Sequence, residues 1–237
     1  MKTIKTFLFL FMIAITSYST AIAGNSDETQ IRNLSGFNAI KVSTGIDLYL
    51  TMGDAEEVKV VADDDIIDDL KTEVENGTLK IYMKRRNWFN WGSGNETRKV
   101  YVTVKELEEL SASSGSDVES TNTLEGESLE VSCSSGSDVK LDVYYKNLSV
   151  DTSSGSDSKL QGKVKTLKAD ASSGSDIKAK DLESAICYAD ASSGSDITVS
   201  VSSELYANAS SGADVTYYGN PEIKDIDESS GGDVRQR

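Results

Sequence analysis

From residue 113 onward one phrase returns at a nearly fixed interval: SSGSD at 113–117, 134–138, 153–157, 172–176 and 192–196, then SSGAD at 210–214 and SSGGD at 229–233. Its glycines, Gly115, Gly136, Gly155, Gly174, Gly194, Gly212 and Gly231, lie 21, 19, 19, 20, 18 and 19 residues apart. A unit this short cannot bury an apolar face alone, so it folds only by stacking on its neighbours. Alignment on the glycine exposes the buried columns. Seven residues before it stand Leu129, Leu148, Leu167, Cys187 and Leu205; five before it stand Leu110, Val131, Val150, Ala169, Ala189, Ala207 and Ile226. Three before it are the small Ala112, Cys133, Thr152, Ala171, Ala191 and Ala209. On the far side, Val118, Val139, Ser158, Ile177, Ile197, Val215 and Val234 follow by three, and Leu141, Leu160, Ala179, Val199 and Tyr217 by five.

A spacing of two within each arm is strand periodicity, so these columns share an inner face. Two strands meeting at the glycine turn, with a variable third stretch such as 122–127 or 161–166, make a three-sided coil. The expected fold is all-β: a right-handed parallel β-helix, or β-solenoid, of about 19 residues per rung, the hand following from parallel crossovers. In this reading the Ser, Asp and Lys between the columns face water. Ala171→Phe or Ala191→Phe then overpacks the narrow corner, whereas Ser175→Phe is tolerated.

The N-terminal half is less regular. Residues 37–43 and 46–52 flank Thr44-Gly45, and Gly45 with Asp47 two places on echoes the later turns as an early rung. Residues 64–71 are expected to form a short helix with Ile66, Ile67 and Leu70 on one face and Asp63 or Asp64 as N-cap. Its acidic cluster, Asp63, Asp64, Asp65, Asp68 and Asp69, then complements the positive helix start. Asn76-Gly77 marks a two-residue hairpin, and a longer hairpin is expected to pair 79–85 with 99–104. This half should close one end of the solenoid, since an uncapped end is an aggregation-prone edge.

Residues 1–23 combine Lys2 and Lys5, the apolar run 7–15 and Ala21-Ile22-Ala23, the pattern of a secretory signal cut before Gly24. The expected organisation is a signal at 1–23 and one solenoid domain at 24–237, with irregular rungs and cap at 24–110 and regular rungs at 111–237. The run is shorter than the roughly 20 residues of a transmembrane helix, which implies export to the periplasm, the outer-membrane surface or the exterior. Secretion raises the question of a disulfide. Cys133 and Cys187 sit three rungs apart, about 14 Å at the strand spacing, beyond the roughly 7 Å Cα limit of a bridge. Two buried free thiols are expected.

Composition removes whole chemistries. The 237 residues contain no His, so a Ser-His-Asp or Cys-His nucleophile and a His-ligated metal are excluded. A net charge of −15 opposes nucleic-acid binding. Nothing points to a cofactor.

Several motifs occur in a telling order: the strand FNAIKVSTGIDLYL at 37–50, the hairpin VENGTLKI at 74–81, the loop WFNW at 88–91, the strand VYVTV at 100–104, the Gly-x-Asp rungs at 115–233 and VTYYGNP at 215–221. Together they resemble the head GIN domain family of auto-transporter adhesins, common in Bacteroidetes. The resemblance covers residue 34 to the end. It implies an exported β-helix with a role in adhesion and carries no catalytic residues; no membrane β-barrel follows in this chain.

Two features invite a binding role. The loop residues Arg85, Arg86, Trp88, Phe89 and Trp91 gather both tryptophans, and Trp and Arg dominate binding hot spots; the structural alternative is a cap over the solenoid end. The column Asp117, Asp138, Asp157, Asp176, Asp196, Asp214 and Asp233 stacks like charges, repelling by about 0.9 kcal/mol per pair even at water's dielectric. A row of Ca²⁺ would relieve it, and so would Asx-turn hydrogen bonds with help from Lys140, Lys159 and Lys178. The expected function is a non-enzymatic, secreted or surface-bound, adhesin-like protein binding a glycan or an envelope protein. The alternatives are a polysaccharide lyase or hydrolase on the same fold, or a purely structural envelope protein.

Overall fold

The computed structural model describes residues 26–84 and 96–237. They form strands β1 (Asp27–Arg32), β2 (Ala39–Ser43), β3 (Asp47–Met52), β4 (Glu57–Asp63), β5 (Leu70–Glu75), β6 (Thr78–Met83), β7 (Arg98–Val104), β8 (Glu109–Ser113) and β9 (Asp117–Ser120). The rungs continue as β10 (Leu124–Ser134), β11 (Asp138–Thr152), β12 (Asp157–Ala171), β13 (Asp176–Ala191), β14 (Asp196–Ala209), β15 (Asp214–Tyr218), β16 (Ile223–Glu228) and β17 (Asp233–Gln236). The columns read from the repeat are runs of parallel pairs, broken only between Leu160 and Ala179, where the β12–β13 register shifts. Leu110, Val131, Val150, Ala169, Ala189, Ala207 and Ile226 lie in one line, and the chain is a β-solenoid whose core is built from these lines, except that Ile226, expected to be buried, is exposed because no further rung covers the last one. The two free cysteines occupy different lines and are both buried.

At each corner the second Ser and the Gly both take positive φ, 58° at Ser173 and 68° at Gly174. Two consecutive left-handed residues rotate the chain out of strand parity. The third Ser of the phrase therefore points inward: Ser116, Ser137, Ser156, Ser175 and Ser195 are fully buried, which corrects the expectation that these serines face water. Ser175 Oγ lies 2.6 Å from the Thr152 carbonyl and 2.8 Å from that of Ser172, sharing its one proton between them. The backbone ladder runs through the corner as well, Gly136 N donating to Ser154 O (3.2 Å) and Asp157 N to Ser137 O (3.1 Å).

Stacking order departs from chain order at the N-terminal end. The rung β2–β3 is sandwiched between β8–β9 on one side and β6–β7 on the other, so Asp47 extends the Asp column as the echo of the turn phrase suggested. The long hairpin expected between 79–85 and 99–104 does not form. Instead β6 pairs with β2 and β5, while β7 pairs with β3 and β4, because both strands bury more by joining the solenoid's two growing sheets than by pairing with each other. The Asn76-Gly77 hairpin is present, with φ of 51° and 78° and Glu75 opposite Thr78.

The helix expected at 64–71 is also overturned: the described residues contain strands and turns but no helix, and so none that could cross a membrane. β4 ends at Asp63 and β5 starts at Leu70, leaving too few residues to repay the costly first helical turn. The link is a pair of turns in which Asp63 O accepts from Ile66 N and Ile67 N, and Ile66 O from Asp69 N and Leu70 N. The apolar pattern was nonetheless informative. Ile66, Ile67 and Leu70 are buried where the chain crosses from one sheet edge to the other, and the antiparallel β1, β4 and β5 finish that end.

Candidate functional site

The loop residues Arg85, Arg86, Trp88, Phe89 and Trp91 lie outside the described residues. Their described flanks are informative: Met83 ends β6 on one sheet and Arg98 begins β7 on the other. Met83 N donates to Thr44 Oγ1 (2.7 Å), and the Arg98 guanidinium pairs with Glu96.

The Asp column is brought into one line. Asp47, Asp117, Asp138, Asp157, Asp176, Asp196, Asp214 and Asp233 are successive partners. Cations of the neighbouring outward column bridge parts of it: Lys178 Nζ sits 2.8 Å from Asp157 and 3.1 Å from Asp176, and Arg235 pairs with Asp214 and Asp233. Lys140 turns to Glu119 instead. Two carboxyls feel the residual load. Partial desolvation, then Asp138 and Asp47, push Asp117 above its ordinary value against the pull of the Asp138 backbone amide; desolvation, then Asp176 and Asp214, do the same to Asp196 against Arg235 and Lys178. A row is not a chelating cluster, and among the described residues no three carboxylate or cysteine ligands converge on a point.

Two outward features lie outside the apolar columns of the repeat. Four residues before the glycine, Asp151, Asp170, Asp190, Asn208 and Asp227 form a second acidic line, so carboxylates flank the corner on both sides. The signal was present as Asp at that position in four rungs. On the third side of the coil a groove runs parallel to the axis between two outward columns. One rail is Tyr144, Lys163, Glu183 and Ser200; the other is Lys146, Lys165, Ala185, Ser202 and Asn220. Its floor is made by inward-facing Tyr145, Val164, Ser184 and Val201, all buried. Tyr145 lies against Gly126, where a Cβ would stand 2.7 Å from the ring, and its hydroxyl donates to Leu107 O (2.9 Å); burial pushes that hydroxyl's pKa upward.

The rails change character along the groove. Long side chains stand at Tyr144, Lys146, Lys163 and Lys165, and small ones at Ala185, Ser200 and Ser202. The narrowing of side chains coincides with slips in register between β13 and β14, where a 20-residue interval is followed by one of 18. Ser184 Oγ donates to Ser200 O (2.7 Å), and Ser202 Oγ to Ser184 O (3.2 Å), tying the irregular stretch together. Tyr144 is 61% exposed, more than any other large apolar or aromatic side chain described. Lys146 and Lys163 reach Glu127 (3.2 Å) and Glu183 (3.4 Å).

Comparison with known proteins agrees with this architecture. A solved structure from Bacteroides fragilis described as "a putative adhesin" superposes with a TM-score of 0.82 at 20% identity, covering 90% of this chain and 98% of that one. A structure from Parabacteroides merdae, likewise described as "a putative adhesin", gives 0.72 at 16% identity over 89% and 96%. A structure from Parabacteroides distasonis described as "Putative lipid binding protein" gives 0.68 at 25% identity over 90% and 98%. No curated protein matches the chain. Residues 36–221 match the family model described as "Putative auto-transporter adhesin, head GIN domain", and the chain belongs to that family.

Proposed function

We propose that the chain is an exported, non-catalytic adhesion scaffold whose solenoid presents rigid rows of side chains to a glycan or protein on a surface. The observation that carries this reading is the adhesin-family match over 36–221, on a fold whose outward columns are aligned by parallel ladders from rung to rung. The N-terminal signal pattern at 1–23 supports export, and maturation before Gly24 is part of the proposal. The Trp loop at 85–91 belongs to the binding surface in this reading, and the Asp row is a structural column balanced by Lys178 and Arg235.

The test combines binding with catalysis. Purified protein is applied to glycan arrays and to envelope-coated surfaces, and the same polysaccharides are assayed for new reducing or unsaturated ends. Retention without cleavage is expected. Cleavage of any polysaccharide, or failure to adhere to every surface tried, overturns the reading. N-terminal sequencing of the exported protein should begin at Gly24.

A further inference from the structure

We infer that the groove on the third side of the coil seats a linear, neutral polysaccharide lying along the solenoid axis. This rests on the adhesion reading and names the ligand class and the place. Length comes first. The lining runs from Gly126 through β11, β12, β13 and β14 to Asn220, which is five rung spacings of about 4.8 Å, or about 24 Å. Such a trough suits an extended polymer rather than a compact molecule.

Chemistry separates a polysaccharide from an extended peptide. Peptides are captured on sheets by adding a strand to an open edge. Here β11, β12 and β13, the middle of the groove, are paired on both sides, so no main-chain row is free along that stretch. What remains is side-chain chemistry: an exposed phenol ring at Tyr144, hydroxyls at Ser200 and Ser202, the amide of Asn220, and ammonium and carboxylate groups. Groups that both donate and accept, three rungs along the same trough from one aromatic, fit an extended chain of hydroxyls and apolar ring faces. The low stretch at Ala185, Ser200 and Ser202 provides room for a sugar ring between higher walls.

Charge selects the neutral class. Of the three groove lysines, Lys146 and Lys163 are offset by Glu127 and Glu183; Lys165 leaves the lining a single positive charge, set against −15 on the chain as a whole. A polyanion is therefore repelled at a distance and gains little inside.

The experiment is affinity electrophoresis of the full exported chain in native gels containing hydroxyethyl cellulose, a galactomannan or polygalacturonate. Retardation by at least one neutral polymer is expected, and not by polygalacturonate. Tyr144→Ala and Ala185→Arg, one removing the ring and the other filling the low stretch, should each weaken retardation by about tenfold or more, the scale of losing a hot-spot anchor. Tyr188→Ala, on another face, should leave it unchanged, and thermal melts confirm that all three remain folded. Loss in the Trp88→Ala, Trp91→Ala pair with retention in both groove variants would overturn the groove while leaving adhesion intact. Retardation by polygalacturonate alone would overturn the neutral class, and adhesion to cells with no retardation by any polymer would overturn the polysaccharide. A protein that adheres to nothing would instead sink the adhesion reading.

Discussion

At the scale of single residues, the corner of the rung decides most. Gly174 has φ of 68° and open space where a Cβ would point, whereas a Cβ on Gly162 (φ 110°) would stand 2.1 Å from Val143 O. Gly174→Ala should therefore cost only about 1 kcal/mol, from the left-handed backbone, while Gly162→Ala should prevent the central rungs from closing. Urea melts of the two variants check this, although only Gly174 belongs to the repeated phrase. Ser175→Phe should unfold the centre as thoroughly as Ala171→Phe, because both positions face inward. Ser175→Ala is milder: Ala213 occupies the equivalent place in a later rung, and loss of the buried hydroxyl should cost about 1 kcal/mol. The core also holds a matched polar pair. Thr152 and Ser158 interrupt two apolar columns, and their hydroxyls meet at 2.8 Å, so each deviation in the repeat satisfies the other.

At the scale of elements, the stacked carboxylates and the last rung each carry a testable consequence. Asp117 and Asp196 hold protons more tightly in the fold than at the ordinary 3.8. The folded chain then binds more protons than the unfolded one between that value and the raised one, so stability falls as pH rises through the window. It is regained as pH drops toward 3.8. Asp196→Asn should raise Tm at pH 7, by about 1 to 3 °C, and by less near pH 4; added salt should narrow the difference by screening the row. The last rung is different in kind. β16 and β17 are each paired only to the rung before them, and Ile223 and Ile226 are exposed. Charged residues blunt this edge, and Glu228 Oε1 accepts from the otherwise free Val234 N (2.7 Å). Replacing Glu228 and Asp227 by Val should promote end-to-end association, seen as concentration-dependent mass in light scattering. A monomer at all concentrations would show that the edge needs no such protection.

At the scale of the whole molecule, stability is a chain of nearest-neighbour interfaces with unequal ends. The N-terminal end is closed by β1, β4, β5 and the buried Ile66 and Ile67, and the C-terminal end stops at an exposed rung. Unfolding should begin at the latter. The two thiols report on this directly, since burial pushes Cys133 up to about 11 and Cys187 up to about 12, leaving both unreactive in the native state. In moderate urea, pulsed alkylation should modify Cys187, nearer the open end, before Cys133. Simultaneous modification would mean that the solenoid opens as one unit.

Much of this was legible because a solenoid converts sequence period directly into spatial register. The columns, the Asp row, the separation of Cys133 from Cys187 and the Asn76-Gly77 turn all follow from local spacing, and the order of weak motifs pointed to the family. What escaped depends on contacts between segments distant in the chain. Nothing near Ser175 reveals that two left-handed residues turn it inward; nothing near residue 79 reveals that β6 and β7 join different sheets around an inserted β2–β3 rung. The turns at 64–69 carried the apolar pattern of a helix, yet the strands on either side claimed their ends. The groove beside Tyr144 likewise exists only because six successive rungs bring their third sides into line. Local spacing thus determined the coil and its inner face, whereas the stacking order, the corner's inward hydroxyls and the outer groove were decided by which distant edges found each other, since that is where the unpaired backbone groups and exposed apolar area had to be satisfied.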